Sequence, residues 1–131
     1  PNIEGVLGLG EAINYLNSIG MDKIHEYEMA LRKYLIEKLI GIKHIDIINM
    51  EADSGIVAFN VDGVFSQDVA VYLDKYNICL RAGNHCAKIL KDEVGVKNTC
   101  RISLYFYNTY EEIDRLVELL KDKDRIVREM I

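Results

Sequence analysis

In the stretch NICLRAGNHCAKIL (residues 77–90), an apolar run ending at Leu80 gives way to Arg81, Gly83, Asn84, His85 and Cys86. A thiol in such company can serve as a covalent nucleophile, because cationic neighbours such as Arg81 and His85 raise its thiolate fraction. A glycine directly after a strand permits a sharp turn, so Gly83 would set the following side chains at a sheet edge, where sites tend to be built. The plainer reading is that Cys86 is a small core residue, since free cysteine is among the most buried residue types. On spacing alone that plainer reading stays ahead. The cysteines at 79, 86 and 100 have no paired ligand spacing, so no metal centre is expected.

Arg101 is the second residue with chemical potential. It alternates along CRISLYF with Ser103 and Tyr105, opposite a face of Cys100, Ile102, Leu104 and Phe106. Its planar fork is suited to a carboxylate, though most strand arginines are solvated surface charges, and the sequence leaves both open. His25 and His44 read as surface or packing residues, and Tyr105, Phe106, Tyr107 and Tyr110 as packing at a strand-to-helix corner.

The elements that must position these residues follow from periodicity. A first helix is expected over Glu4–Ile19, weakened by Gly5, Gly8 and Gly10 and ended by Gly20; a second runs over Asp22–Ile40 and is closed by Gly41. The glycine spacing of the first helix suggests close packing on something outside this stretch of chain. The second buries Ile24, Tyr27, Leu31, Tyr34, Leu35 and Leu39. The period then becomes strand-like at residues 44–48 and Gly55–Val61. Ser66 reads as the N-cap of a helix over residues 67–76, followed by a strand over 78–82, a helical turn around 87–93 and a strand over 100–106. Thr109 with Glu112 forms a capping box for a last helix carrying Ile113, Leu116, Val117 and Leu120, which continues towards the C-terminal residues IVREMI. The mixture lacks a βαβ rhythm and predicts an α+β two-layer sandwich, its mostly antiparallel sheet covered by helices on one face.

Bulk properties narrow the function classes. The 131 residues suit a single domain, with 50% apolar and 28% charged residues. A net charge of −5 argues against a nucleic-acid backbone binder. The sequence has no apolar run of membrane-spanning length and no secretory leader pattern. Three cysteines without framework spacing point to a reducing, cytoplasmic compartment. Pro1 stands where an initiator methionine is usual, and the expectation is a piece of a longer protein.

Three segments together, RAGNHCA (81–87), CRISLYFYNTYEEIDRLVELL (100–120) and the opening PNIEGVLGLGEAINYLNSIGM, resemble the C-terminal part of the cysteine desulfurases. The likeness is to the group II branch, which includes selenocysteine lyase-like enzymes of the aminotransferase class V superfamily, and it covers essentially the whole chain. It implies that residues 1–131 are one C-terminal small domain of a fold type I enzyme, with 1–20 as an interdomain helix, 21–131 as the small domain and the large cofactor-binding domain absent. It further implies that Cys86 is the nucleophile, taking sulfur from L-cysteine to leave L-alanine and a persulfide. Arg101 would bind the substrate carboxylate, with Arg81, Gly83, Asn84 and His85 forming the supporting loop. Asn84 departs from the pattern, where a second histidine is common.

The implied cofactor is pyridoxal phosphate, bound by the full-length parent and not by this fragment, which is expected to be inactive alone. The implied partners are a sulfur-acceptor protein, as in iron–sulfur cluster assembly, and a second subunit in a homodimer; neither nucleic acid nor membrane is expected. Two alternatives remain at this stage. One is a selenocysteine lyase or other class V enzyme; the other is a non-enzymatic, ligand-sensing α+β domain with a structural Cys86.

Overall fold

Val57, Phe59 and Val61 alternate with Ile56, Ala58 and Asn60. In the computed structural model, which describes residues 1–87, 89, 92–93 and 95–129, these six residues form one strand, β2 (Ile56–Val61). It is flanked by β1 (Ile45–Ile47) and β4 (Thr99–Ser103), and β4 pairs in turn with β3 (Arg81–Gly83). The order is β1-β2-β4-β3 and every pairing is antiparallel. Register decides which side chains share a face. Val57 lies opposite Ile102 and Phe59 opposite Cys100, all buried, whereas Ala58 lies opposite Arg101 on the other face.

The helices cover the first of these faces. The core joins Leu31, Leu35 and Leu39 of α2 (Met21–Ile40) and Val69, Tyr72 and Leu73 of α3 (Ser66–Asp74) to the inner face of the sheet. Ile113, Leu116, Val117 and Leu120 of α4 (Tyr110–Leu120) complete it, with Ile126 from the short α5 (Lys123–Arg128). The result is the expected α+β two-layer sandwich, its core formed between these helices and the inner face of the sheet. Among the described residues, no helix is long and apolar enough to cross a membrane.

Several local expectations hold. Thr109 and Glu112 cap α4 reciprocally, and Gly20 and Gly41 close the first two helices. His44 hydrogen-bonds through Nε2 to the Leu120 carbonyl at 2.8 Å, which occupies one orphan acceptor at the end of α4. His25 lies 3.4 Å from Asp53 on the surface. Tyr105, Phe106 and Tyr107 pack on one another, while Tyr110 makes edge contacts with Tyr27 and Tyr34.

Others need correction. Ser66 is the first residue of α3, not its cap; Phe65 takes the cap position, and the Ser66 hydroxyl donates to Gln67 Oε1. The strand expected over 78–82 is reduced to Arg81–Gly83, because Asn77 is left-handed (φ 58°) and the Ile78 N–H is taken by the Leu73 carbonyl. Ile78 and Leu80 still pack against the core, but from a coil. The last helix breaks after Leu120 and restarts at Lys123, with Asp122 as the new cap. The strand over 100–106 begins one residue earlier and stops at Ser103. The helical turn expected around 87–93 falls largely outside the described residues.

The first helix, α1 (Ile3–Ile19), buries none of its residues, and Ile3, Val6, Leu7, Leu9 and Ile13 are exposed. Gly8 and Gly10 have nothing within 4 Å of where a Cβ would stand, so the close packing their spacing suggests is not made by the described residues.

Gly55 is a different case. A Cβ there would sit 2.5 Å from the Leu104 carbonyl oxygen and 2.5 Å from Glu28 Oε1. That carbonyl is backbone, and Leu104 donates its own N–H to the Gly55 carbonyl at 2.9 Å, so the neighbour cannot simply step aside. Gly55→Ala is therefore expected to destabilise the protein by about 1–3 kcal/mol. The measurement is a lower urea midpoint at unchanged m-value; an unmoved midpoint would show that the strand end shifts without cost.

Candidate functional site

On the side of the sheet that carries Ala58 and Arg101 lies a cavity of about 330 Å³. Ile48, Ile56 and Ala58 supply apolar wall from the β1–β2 side, and Thr99 and Arg101 rise from β4. Gly83, Asn84, His85 and Ala87 close it from the turn after β3. Five of the residues singled out in the sequence thus fall at one place: Gly83, Asn84, His85 and Arg101 line the cavity, and Cys86 sits on the turn beside it. The described lining residues do not include Cys86 or Arg81, both of which are exposed.

The turn itself is tight. The Ala87 N–H donates to the Asn84 carbonyl at 2.9 Å, and the two residues between, His85 and Cys86, have φ of 52° and 59°. Two consecutive left-handed residues are the signature of a primed turn, which ordinarily uses glycine or asparagine. Here both carry a Cβ, at a cost of roughly 1–2 kcal/mol each. Gly83, at φ 121°, is a position where only glycine is unstrained. The turn holds the thiol out of the core, so the buried reading of Cys86 does not hold. Cys100 is the buried thiol, and burial pushes its pKa up to about 12.

His85 is anchored by β4. Its Nε2 lies 3.1 Å from the Thr99 carbonyl oxygen and 2.8 Å from Thr99 Oγ1. Burial lowers its pKa from the ordinary histidine value; the charges of Arg101 and Arg81 add to the lowering, and the Thr99 carbonyl partly opposes it. Both effects favour the neutral imidazole. Thr99 is absent from the sequence reading, although the signal for it was present, since it shares the alternating face of Arg101 and Ser103.

Arg101 is half-buried, and no carboxylate among the described residues pairs with it. It stands directly opposite Arg81 in the β3–β4 register. Like charges facing each other across two strands repel, and an anion between or beside them offsets that repulsion. The cavity is thus suited to a small carboxylate held against an apolar wall.

The other wall depends on a residue the sequence did not reveal. Arg32 of α2, 2% exposed, donates to the carbonyls of Asn49, Met50, Ser54 and Ile56. Asn49 donates through Nδ2 to the Ile56 carbonyl and accepts from the Ala58 N–H, both at 2.8 Å. Together they hold the β1–β2 loop, and with it Ile48 and Asn49, at the cavity.

A pyridoxal ring needs a lysine to bond its aldehyde and partners for its ring and phosphate. Among the described residues lining the cavity there is neither lysine nor carboxylate. These residues fit the amino-acid side of a reaction and do not fit the cofactor.

Comparison with known proteins supplies the family. The family model for aminotransferase class V matches residues 1–116. A cysteine desulfurase of Salmonella agona (strain SL483) is 44% identical over 117 residues, covering 89% of this chain and 29% of that protein. The apo structure of a cysteine desulfurase from Thermococcus onnurineus NA1 superimposes with a TM-score of 0.88 at 33% identity, over 92% of this chain and 31% of that one. The cysteine desulfurase CsdA (S-sulfonic acid) from Escherichia coli gives 0.89 at 31% identity, over 100% and 32% respectively. The chain therefore spans roughly three-tenths of the length of its relatives.

Proposed function

This chain belongs to the aminotransferase class V family, and from that premise we propose that it is the C-terminal small domain of a cysteine desulfurase acting on L-cysteine, with Cys86 as sulfur acceptor. The observation that carries the proposal is the pairing of an exposed thiol, held on a strained turn, with a cavity whose one unpartnered cation is Arg101 among the described residues. Arg101 binds the substrate carboxylate, the walls from Ile48, Ile56 and Ala58 exclude water, and the Cys86 thiolate attacks the substrate sulfur. A soft, polarisable thiolate suits that attack on sulfur. The products are alanine and a persulfide on Cys86. Pyridoxal phosphate supplies an electron sink when bound, and its holders lie outside the residues described here.

Residues 1–20 act in this proposal as an interdomain helix, which accounts for the exposed apolar stripe of α1. The persulfide sulfur passes to an acceptor protein such as serves iron–sulfur cluster assembly. The working enzyme is a cytoplasmic homodimer.

The test uses full-length protein supplied with pyridoxal phosphate and L-cysteine. One alanine should form per sulfur released under reducing conditions, with a persulfide trapped on Cys86 by alkylation and mass spectrometry. The 131-residue chain, given the same cofactor, should show no visible absorbance from bound cofactor and no turnover. Alanine formed only from selenocysteine would favour a selenocysteine lyase, and a Cys86 that resists alkylation in the full-length protein would favour a binding domain.

A further inference from the structure

Buried polar side-chain atoms are almost always hydrogen-bonded. Among the described residues just two are not, His85 Nδ1 and Arg101 Nε, and both residues line the same cavity. One of these atoms is a donor: the guanidinium Nε–H cannot accept. The nature of the other follows from Thr99. A carbonyl oxygen only accepts, so the ring nitrogen 3.1 Å from it, Nε2, carries the hydrogen and shares it with Thr99 Oγ1 at 2.8 Å. The neutral ring then presents a bare lone pair at Nδ1. The opposite tautomer would set the Nε2 lone pair against the carbonyl and leave an Nδ1–H beside a guanidinium with nothing to accept it.

We propose that His85 is a positioning residue for Arg101: in the working site its Nδ1 accepts the Arg101 Nε–H, directly or through one trapped water. The pairing satisfies both orphan atoms at once. It also fixes the guanidinium plane and turns the two terminal Nη groups towards the cavity as a fork for a carboxylate. The groups that act on the ring are consistent with a neutral acceptor: Arg101 on β4 and Arg81 on β3, with no carboxylate among the described residues of the cavity wall. The inference rests on the reading of Arg101 as the carboxylate anchor and adds what orients it.

A double-mutant cycle on the full-length enzyme tests it. His85→Leu removes the acceptor and is expected to raise KM for cysteine about tenfold with kcat changed much less. His85→Asn keeps an acceptor and tolerates the left-handed backbone, so KM should return most of the way. Arg101→Lys removes the Nε–H, and in that background His85→Leu should have no further effect. An unchanged KM in His85→Leu, no recovery in His85→Asn, or a full tenfold loss persisting beside Arg101→Lys would each overturn the pairing. Wild-type turnover of cysteine is read first and judges the activity itself. An activity-free readout stands beside it: ¹⁵N NMR of histidine-labelled protein should show Nδ1 of His85 unprotonated and hydrogen-bonded, with its resonance moving in Arg101→Lys. A resonance unmoved by Arg101→Lys would overturn the proposal even if the protein does not act on cysteine.

Discussion

Cys86→Ala in the full-length protein is expected to abolish alanine formation from cysteine, by about a thousandfold or more, while stability and cofactor absorbance stay at wild-type values. The size of the loss follows from the kind of step removed. Without the sulfur there is no atom to form the S–S bond, and deletion of a covalent nucleophile costs far more than loss of a binding contact. The selectivity follows from the structure. Cys86 is exposed, so alanine leaves no core cavity, and both residues carry a Cβ at the same left-handed backbone position. The turn therefore pays the same strain in either protein. The remaining thiols cannot substitute. Cys100 is wholly buried, with its pKa pushed up to about 12, and Cys79 belongs to a different cleft, with Ser103 and Arg115. Cys79→Ser is accordingly expected to leave turnover intact. The check is a sulfide and alanine assay run beside thermal melts; sulfide release retained in Cys86→Ala would remove Cys86 from the reaction.

The parts of this fold legible in the sequence are those where one local rule acts alone. The alternation in β2 and β4 put Arg101 on the face opposite Cys100 and Ile102, and the Thr109–Glu112 pair marked the start of α4 to the residue. What stayed hidden depends on contacts between distant segments. Arg32 is an unremarkable letter in a charged helix, yet it is buried because four carbonyls from the β1–β2 loop converge on it. Such convergence has no one-dimensional signature. Residues 78–80 are apolar enough for a strand, but the capture of the Ile78 N–H by Leu73 removes a ladder donor. The sharp turn expected after Gly83 is present, but its two left-handed positions fall on His85 and Cys86, against the residue preferences of that backbone, so the glycine marked the turn and not its strained pair. Strain of that kind is more often found at functional sites than elsewhere.

Arg101→Leu carries the second large effect, and its signature differs from that of the nucleophile. The guanidinium is half-buried, stands opposite Arg81, and has no carboxylate partner among the described residues. In the apo protein its charge is thus uncompensated, and a leucine relieves repulsion, so the variant should be at least as stable as wild type in a thermal melt. With substrate present the balance reverses. The substrate carboxylate then enters a cavity walled by Ile48, Ile56 and Ala58 with no arginine or lysine among the described lining residues to meet it. Losing one partner of a desolvated, hydrogen-bonded charge pair costs about 2–5 kcal/mol, or roughly thirty- to several-thousand-fold in kcat/KM. Arg101→Lys keeps the charge but loses the fork, and should recover only part of that. The discriminating comparison uses a substrate analogue lacking the carboxylate. Wild type and Arg101→Leu should handle cysteamine with similar, low efficiency, because the group that tells them apart is missing. An Arg101→Leu enzyme impaired equally on cysteine and cysteamine would mean that the arginine supports the sheet edge and does not bind substrate.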